Sequence, residues 1–310
     1  MVVVSWKGAL VIVDGHLHVF RPASGEYPRP VDDLAPAGRA APVEDLMGLM
    51  DDAGVDRAVL VPLGSEDRYV AECHAAYPDR FAAIGLADAD TTGRTPGTDP
   101  VRALRERVGG AGLSGLRMNW LGDPGKPVTA SPAWPVLAAM AERGLIVWFY
   151  APPSQLPLLD EALTELPGLP VVLNHLGFCP PAPDDAATSW ELIVDEHRRP
   201  RIPTALPPAT LPGVLALARH PHVRVHFSGQ YAFSGAGYPY ADLEPLARPL
   251  YDAYGADRLM WASDYPWTRD VPGYRRLLEL PGRHMPWLTA AERDAVLGGT
   301  ALRLFAGAWR

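Results

Sequence analysis

Apolar residues fall along this chain in short continuous runs, separated by stretches with helical spacing. The runs are Ala9–Val13, Ala58–Val61, Phe81–Leu86, Leu113–Arg117, Leu145–Tyr150, Pro170–Asn174, Val223–Phe227 and Arg258–Ala262, eight in all. A strand that is apolar along its whole length is buried on both faces, as in a parallel sheet covered by helices. Between the runs, "PVEDLMGLMDDAG" sets Val43, Leu46, Met47 and Met50 on one helical face and stops at Gly54. "SPAWPVLAAMAERG" predicts a helix with Ser131 as N-cap, proline just inside and Gly144 at its end. "SEDRYVAECHAAYP" and "DPVRALRERVGG" follow the same pattern. Eight strand–helix units in 310 residues predict an α/β fold, a (β/α)8 barrel forming a single domain over residues 1–310. The rival, a doubly wound open sheet, wants a glycine-rich phosphate turn after the first strand. The sequence there is "DGHLH" instead.

Two segments interrupt the rhythm. Phe20–Pro42 follows the first strand and Phe178–Pro208 follows the sixth; both are rich in proline, and "SWELIVDEH" in the second predicts a short helix. In a barrel both loops rise over the C-terminal face, which makes them candidate lids. For the second, a solvated insertion without consequence is the equal alternative.

Composition narrows the partners more than the fold. The formal net charge is -8 and no basic stripe is present, so nucleic acid has no electrostatic footprint here. The N-terminal apolar run is too short to span a bilayer, which argues against a membrane protein. The two cysteines, Cys73 and Cys179, are far apart and form no CxxC, which fits a reducing cytoplasm. A small-molecule substrate is the expected partner, and the sequence is silent on oligomeric state.

Barrel active sites lie where strands end, so the residues found there matter most. The first strand leads to His16 and His18, which point to one side of an extended segment because side chains alternate. The pair can serve as ligands, as acid–base groups, or merely as turn residues. Arg117 ends the fourth strand, Tyr150 the fifth, His175 the sixth, His226 and Ser228 the seventh, and Asp264 the eighth. Together they suit a hydrolysis. His16, His18 and Asp264 can hold a divalent cation or bind a substrate directly. Asp264 can take a proton from water, His175 can polarise a carbonyl or a water, and Arg117 can clamp an anion. Among the aromatic residues, Tyr150, Trp120, Tyr265 and Trp267 are the pocket candidates, and Trp148 is expected in the core.

The segments "DGHLHVF", "VLNHLGF" and "MWASDYPW" resemble signature segments of the amidohydrolase superfamily. More closely they resemble its amidohydrolase-related branch, which holds sugar lactonases and 2-pyrone-4,6-dicarboxylate lactonase. "VLVPLGSEDRYVAECHAAYPDRFAAIGLAD" and "LTAAERDAVLGGTALRLF" extend the likeness over nearly the whole chain. The resemblance implies a distorted (β/α)8 barrel and a lactonase-like hydrolase in which Asp264 is the base. His16, His18 and His175, or a metal held by some of them, would stabilise the oxyanion, and Arg117 would orient an acidic substituent. One departure bears on the metal. Metal-using relatives carry a histidine at the end of the fifth strand, where this chain reads "LIVWFYAPP". Two expectations therefore stand side by side: one Zn2+ or Mn2+ held by His16, His18 and Asp264, or a metal-free site. A non-oxidative decarboxylase and a decayed barrel acting as a binding protein are the alternative functions. The missing histidine counts against the first, and the retained histidines and Asp264 against the second.

Overall fold

A computed structural model describes residues 10–180 and 193–309. Its parallel strands are β1 (Val13–Leu17), β2 (Arg57–Leu60), β3 (Phe81–Ala83, continued by Gly85–Leu86), β4 (Gly115–Met118), β5 (Ile146–Phe149), β6 (Val171–Leu173), β7 (Val223–Phe227) and β8 (Leu259–Trp261). Each pairs with the next in parallel, from β1 through to β8. Between β8 and β1 the ring is closed by loop hydrogen bonds: the Asp264 N–H donates to the His16 carbonyl at 2.9 Å, and the His18 N–H to the Tyr265 carbonyl at 2.7 Å. The architecture is the expected distorted (β/α)8 barrel.

Its interior is packed by alternate strand positions. Val59, Val61, Ala82, Ile146, Trp148 and Met260 form one buried cluster with Ala301 and Phe305 of the C-terminal helical segment. A larger cluster lies between the strands and the surrounding helices. Helices stop where the sequence places glycine: Gly54, Gly112 and Gly144 each take the left-handed conformation that ends a helix. Asp99 caps its helix by accepting from the Val101 and Arg102 N–H groups. Ser131 is not the N-cap it was expected to be. The helix runs over Trp134–Arg143, and the Ser131 hydroxyl accepts from Ala133 in the turn before it.

The expected first strand needs the largest correction. The paired segment is Val13–Leu17, which overlaps the expected Ala9–Val13 only at Val13; Ala9 lies outside the described residues. Its register slips between Asp14 and Leu17, where three steps on β1 face two on β2. This is a β-bulge, and bulges re-aim side chains at strand ends. Gly15 sits within it, because a Cβ there would come within 2.9 Å of the Trp261 carbonyl oxygen and 3.2 Å of the His226 ring. Leu17 packs into the outer core, while His16 and His18 turn the other way.

The loop after β1 is well organised. Phe20 and Ala41 form a two-way backbone bridge across its base. The Arg29 guanidinium donates to the carbonyls of Arg21, Pro30, Ala35, Pro36, Ala37 and Arg39, tying the loop around one side chain. In the loop after β6, Ile193–Val194 pairs antiparallel with Pro200–Arg201, so the second half of "SWELIVDEH" is a hairpin where a helix was expected. Its first half, Ser189–Leu192, lies outside the described residues. The hairpin docks on the turn after β7: the Ile202 N–H donates to the Ala232 carbonyl, and Arg201 donates to the carbonyls of Tyr231 and Ser234. No helix among the described residues is long and apolar enough to cross a membrane.

Candidate active site

At the C-terminal ends of the strands lies a cavity of about 380 Å3 whose floor carries His18, Arg117, Tyr150, His175 and Asp264. His16 lies directly beneath, fully buried. Asp264 is the centre of the group. Its Oδ1 stands 3.5 Å from the Nε2 atoms of both His16 and His18, and its Oδ2 stands 3.8 Å from His175 Nε2. The Tyr231 hydroxyl donates to Oδ2 at 2.6 Å. Oδ1 has no hydrogen-bond partner, nor has His16 Nε2. Two buried polar atoms left open 3.5 Å apart, one on the cavity floor and one beneath it, lack bonds that the described residues do not supply.

The backbone is strained at this spot. Asp264 has φ 58, His175 φ 47 and Leu176 φ 59, all left-handed. Such a residue costs about 1–2 kcal/mol, less for aspartate, and persists only where the surroundings enforce it. The enforcement is visible. Asp14, buried beside the β1–β8 junction, accepts from the Ser263 and His16 N–H groups and from the Tyr274 hydroxyl, so it holds both arms of the site together. Desolvation by burial pushes its carboxyl up to about 6 despite these bonds. Gly229 has φ 79, and a Cβ there would come within 2.8 Å of the His175 ring. Only glycine lets that imidazole stand where it does.

Hydrogen bonds decide which nitrogens carry protons. Trp148 Nε1 can only donate, and it reaches His16 Nδ1 at 3.0 Å. Burial pushes the His16 pKa well below its ordinary value, so the ring is neutral. With Nδ1 accepting, the single ring hydrogen sits on Nε2 and faces the cavity floor. His18 is the reverse case. Its Nδ1 lies 2.8 Å from the Val61 carbonyl, which can only accept, so Nδ1 donates there and Nε2 is left facing Asp264. His175 Nδ1 pairs with the Ser228 hydroxyl at 3.0 Å, and burial lowers its pKa to about 4. Burial raises the Asp264 pKa, but the neighbouring His175 and His18 and the Tyr231 hydroxyl outweigh it and hold the carboxyl at about 2. At neutral pH the Asp264 carboxylate thus stands beside two neutral imidazoles, His16 and His175.

Arg117 adds the cation. It is lodged against the Tyr150 ring, with Cζ 4.7 Å from the centroid, and among the described residues no carboxylate pairs with it. Burial lowers its pKa, yet a guanidinium remains charged. A half-buried cation in the cavity, without an ion-pair partner among the described residues, is placed to take an anionic group from outside.

Of the residues singled out from sequence, the structure brings His16, His18, Arg117, Tyr150, His175, Asp264 and Trp267 to this cavity or its floor. Trp120 and Tyr265, expected in the pocket, do not line it: Trp120 is covered by Arg94, and Tyr265 is buried with its ring edge-on to Tyr274. Spacing places an aromatic near a strand end but does not set the direction of its ring. His226 faces the barrel interior, where its ring meets Trp148 at 4.5 Å and Nδ1 meets Asn174 Oδ1 at 3.1 Å. Trp148 is in the core as expected, and in addition fixes the His16 tautomer. Tyr231 and Asp14 were not assigned roles by sequence reasoning, since their partners lie far away along the chain.

The donor set also fits a divalent cation in kind and spacing. One ligand atom from each of His16, His175 and Asp264 lies within 4.8 Å of the others. The compact trio contains His175 in place of the expected His18, which joins it through Asp264 Oδ1. Imidazoles and a carboxylate are the ligands of open catalytic zinc sites. At His16 a cation would compete with the Nε2 hydrogen that Trp148 enforces.

Comparison with known proteins agrees with this geometry. The amidohydrolase family model matches residues 13–307. An L-fucono-1,5-lactonase of Burkholderia ambifaria is 26% identical, with 95% of this chain and 92% of that protein aligned. A Pseudomonas putida structure described as a 2-pyrone-4,6-dicarboxylic acid hydrolase superposes with a TM-score of 0.70 at 25% identity, covering 96% of this chain and 98% of that one. A Burkholderia multivorans amidohydrolase with bound zinc superposes with a TM-score of 0.69 at 24% identity, over 96% of this chain and 99% of the other.

Proposed function

This chain belongs to the amidohydrolase family, and we propose that it is a hydrolase that opens lactones, a single catalytic domain with Asp264 as the base. The observation that carries the proposal is the pair of open atoms on the floor: a carboxylate oxygen without a partner, facing a neutral imidazole N–H. The lactone hydrolysis named for the fuconolactonase relative supports the same chemistry.

The attacking water binds at Asp264 Oδ1, the carboxylate oxygen without a protein partner, beside His18, whose Nε2 stands 3.5 Å from that oxygen. Tyr231 engages Oδ2 and so directs the basic lone pairs of the carboxylate through Oδ1. The lactone carbonyl oxygen takes the His16 Nε2 hydrogen, with His175 beside it. As the water oxygen bonds to the carbonyl carbon, its proton passes to Asp264 and negative charge collects on the former carbonyl oxygen, where the imidazole donor is already in place. Collapse breaks the ring C–O bond, and Asp264 returns the proton to the leaving oxygen. The product is an open-chain hydroxy acid, or its keto tautomer where the ring oxygen was enolic, and its new carboxyl ionises with release of one proton. Arg117 holds an anionic group of the substrate beside the reacting carbonyl.

A divalent cation, when bound, would be held by His16, His175 and Asp264 and would supply Lewis-acid polarisation of the same carbonyl. The two cysteines are free thiols, in keeping with a reducing cytoplasmic setting. The test is a panel of lactones and aromatic carboxylic acids assayed in parallel for acid release and for CO2. Stoichiometric acid with a ring-opened product supports the proposal, and CO2 from an aromatic acid without lactone turnover refutes it.

A further inference from the structure

The cavity separates its polar and apolar surfaces, and from this we infer the substrate class: a lactone bearing a single anionic group, taken by the floor, and an apolar substituent, taken by the wall. The inference rests on the lactone-hydrolase reading and adds a specificity to it. All the imidazole, guanidinium and phenol groups that line the cavity lie on the floor. Above them the wall comes from three separate loops, and each contributes apolar side chains. The loop after β1 supplies Leu34, the segment after β2 supplies Leu63, and the hairpin after β6 supplies Ile202. Phe233 and Trp267 complete it from the turns after β7 and β8.

Two alternatives in substrate chemistry fail against this wall. A sugar lactone carries a ring of hydroxyls that lose water on entry and need partners, and an unpaired buried hydroxyl is costly. Among the described residues the wall offers one polar side chain, Asp32, whose Oδ1 already accepts from the Ala35 N–H at 2.7 Å. A dicarboxylate needs a second cation. Arg117 is the cation on the floor, and Arg29, Arg39 and Arg201 on the surrounding loops donate to backbone carbonyls: Arg29 to those of its own loop, Arg39 to Leu34, Arg201 to Tyr231 and Ser234. Asp32 at the mouth repels a second anion. An alkyl or aryl group, by contrast, gains from leaving water against Leu34, Ile202 and Phe233.

Four lactones with one scaffold or one ring size separate these cases: 4-phenyl-2-pyrone-6-carboxylate, the 4-hydrogen parent, 2-pyrone-4,6-dicarboxylate and an aldono-1,5-lactone. The expected kcat/KM for the phenyl compound exceeds that of the parent about tenfold or more, and exceeds those of the dicarboxylate and the sugar lactone by more. An Ile202→Asn variant is expected to shrink the phenyl-to-parent ratio. A dicarboxylate or sugar lactone turned over as well as the phenyl compound overturns the inference and leaves the lactonase reading standing. Turnover of none of the four removes the lactonase reading, and the inference with it. An unchanged ratio in Ile202→Asn, with the phenyl compound still preferred, shows that the wall is not the source of the preference and also overturns the inference.

Discussion

Replacing Arg117 by methionine tests whether the half-buried guanidinium serves a ligand or the fold. The residue forms no ion pair among the described residues, and its Cζ stands 4.7 Å from the centroid of the Tyr150 ring. Charge-assisted hydrogen bonds contribute about 1.5–3 kcal/mol, and every 1.4 kcal/mol is a factor of ten. The variant is therefore expected to lose about 10- to 150-fold in kcat/KM for a lactone that carries a carboxylate. For the matching methyl ester the loss should be small. Methionine keeps the length and apolar stem while removing a desolvated, unpaired charge, so thermal stability should hold or rise. The assay is continuous acid release for the acid and ester forms of one lactone, with Tm measured on both proteins. Equal losses for the two forms, or a collapse of Tm, would show that Arg117 is a structural group and refute the anion-clamp reasoning.

Two further outcomes follow from the protonation pattern. Trp148→Phe removes the indole donor at His16 Nδ1 and frees Nε2 to bind metal, so Zn2+ affinity, measured by metal content after equilibration, should rise about tenfold; unchanged affinity would contradict the tautomer assignment. His175 is held neutral by burial until about pH 4, and once protonated it puts a cation 3.8 Å from Asp264 Oδ2 and quenches the base. kcat/KM should therefore stay flat from neutral pH to about pH 5 and fall below it with an apparent pKa of about 4, and an acid limb near 6.5 would exclude this role.

Much of the barrel is legible in the sequence because strands buried on both faces leave continuous apolar runs. The seventh strand, Val223–Phe227, has the expected bounds, the third spans its expected Phe81–Leu86, and the others except the first shift by a residue or two. The first strand is hidden because it contains Asp14, Gly15 and His16: the Asp14 carboxylate is satisfied by the Ser263 N–H and the Tyr274 hydroxyl, and His16 Nδ1 by Trp148. The nearby apolar run ALVIV draws the prediction instead. The rule that alternate residues share a side still places His16 and His18 together, since Leu17 between them packs outward. The hairpin at Ile193–Arg201 was illegible because docking on the Tyr231–Ser234 turn overrides local helical preference. Trp148 and Tyr231 act on residues 132 and 33 positions away, and no local pattern carries that information.

The central claim is that the unpartnered oxygen of Asp264 performs lactone opening, and kcat of Asp264→Asn on the lactone that the native protein hydrolyses fastest tests it most directly. Asparagine keeps the shape and can still accept from Tyr231, but it leaves an amide where the basic oxygen stood. With an unchanged Tm, kcat is expected to fall by about two orders of magnitude or more. Turnover by the folded variant at close to the native rate would contradict the account.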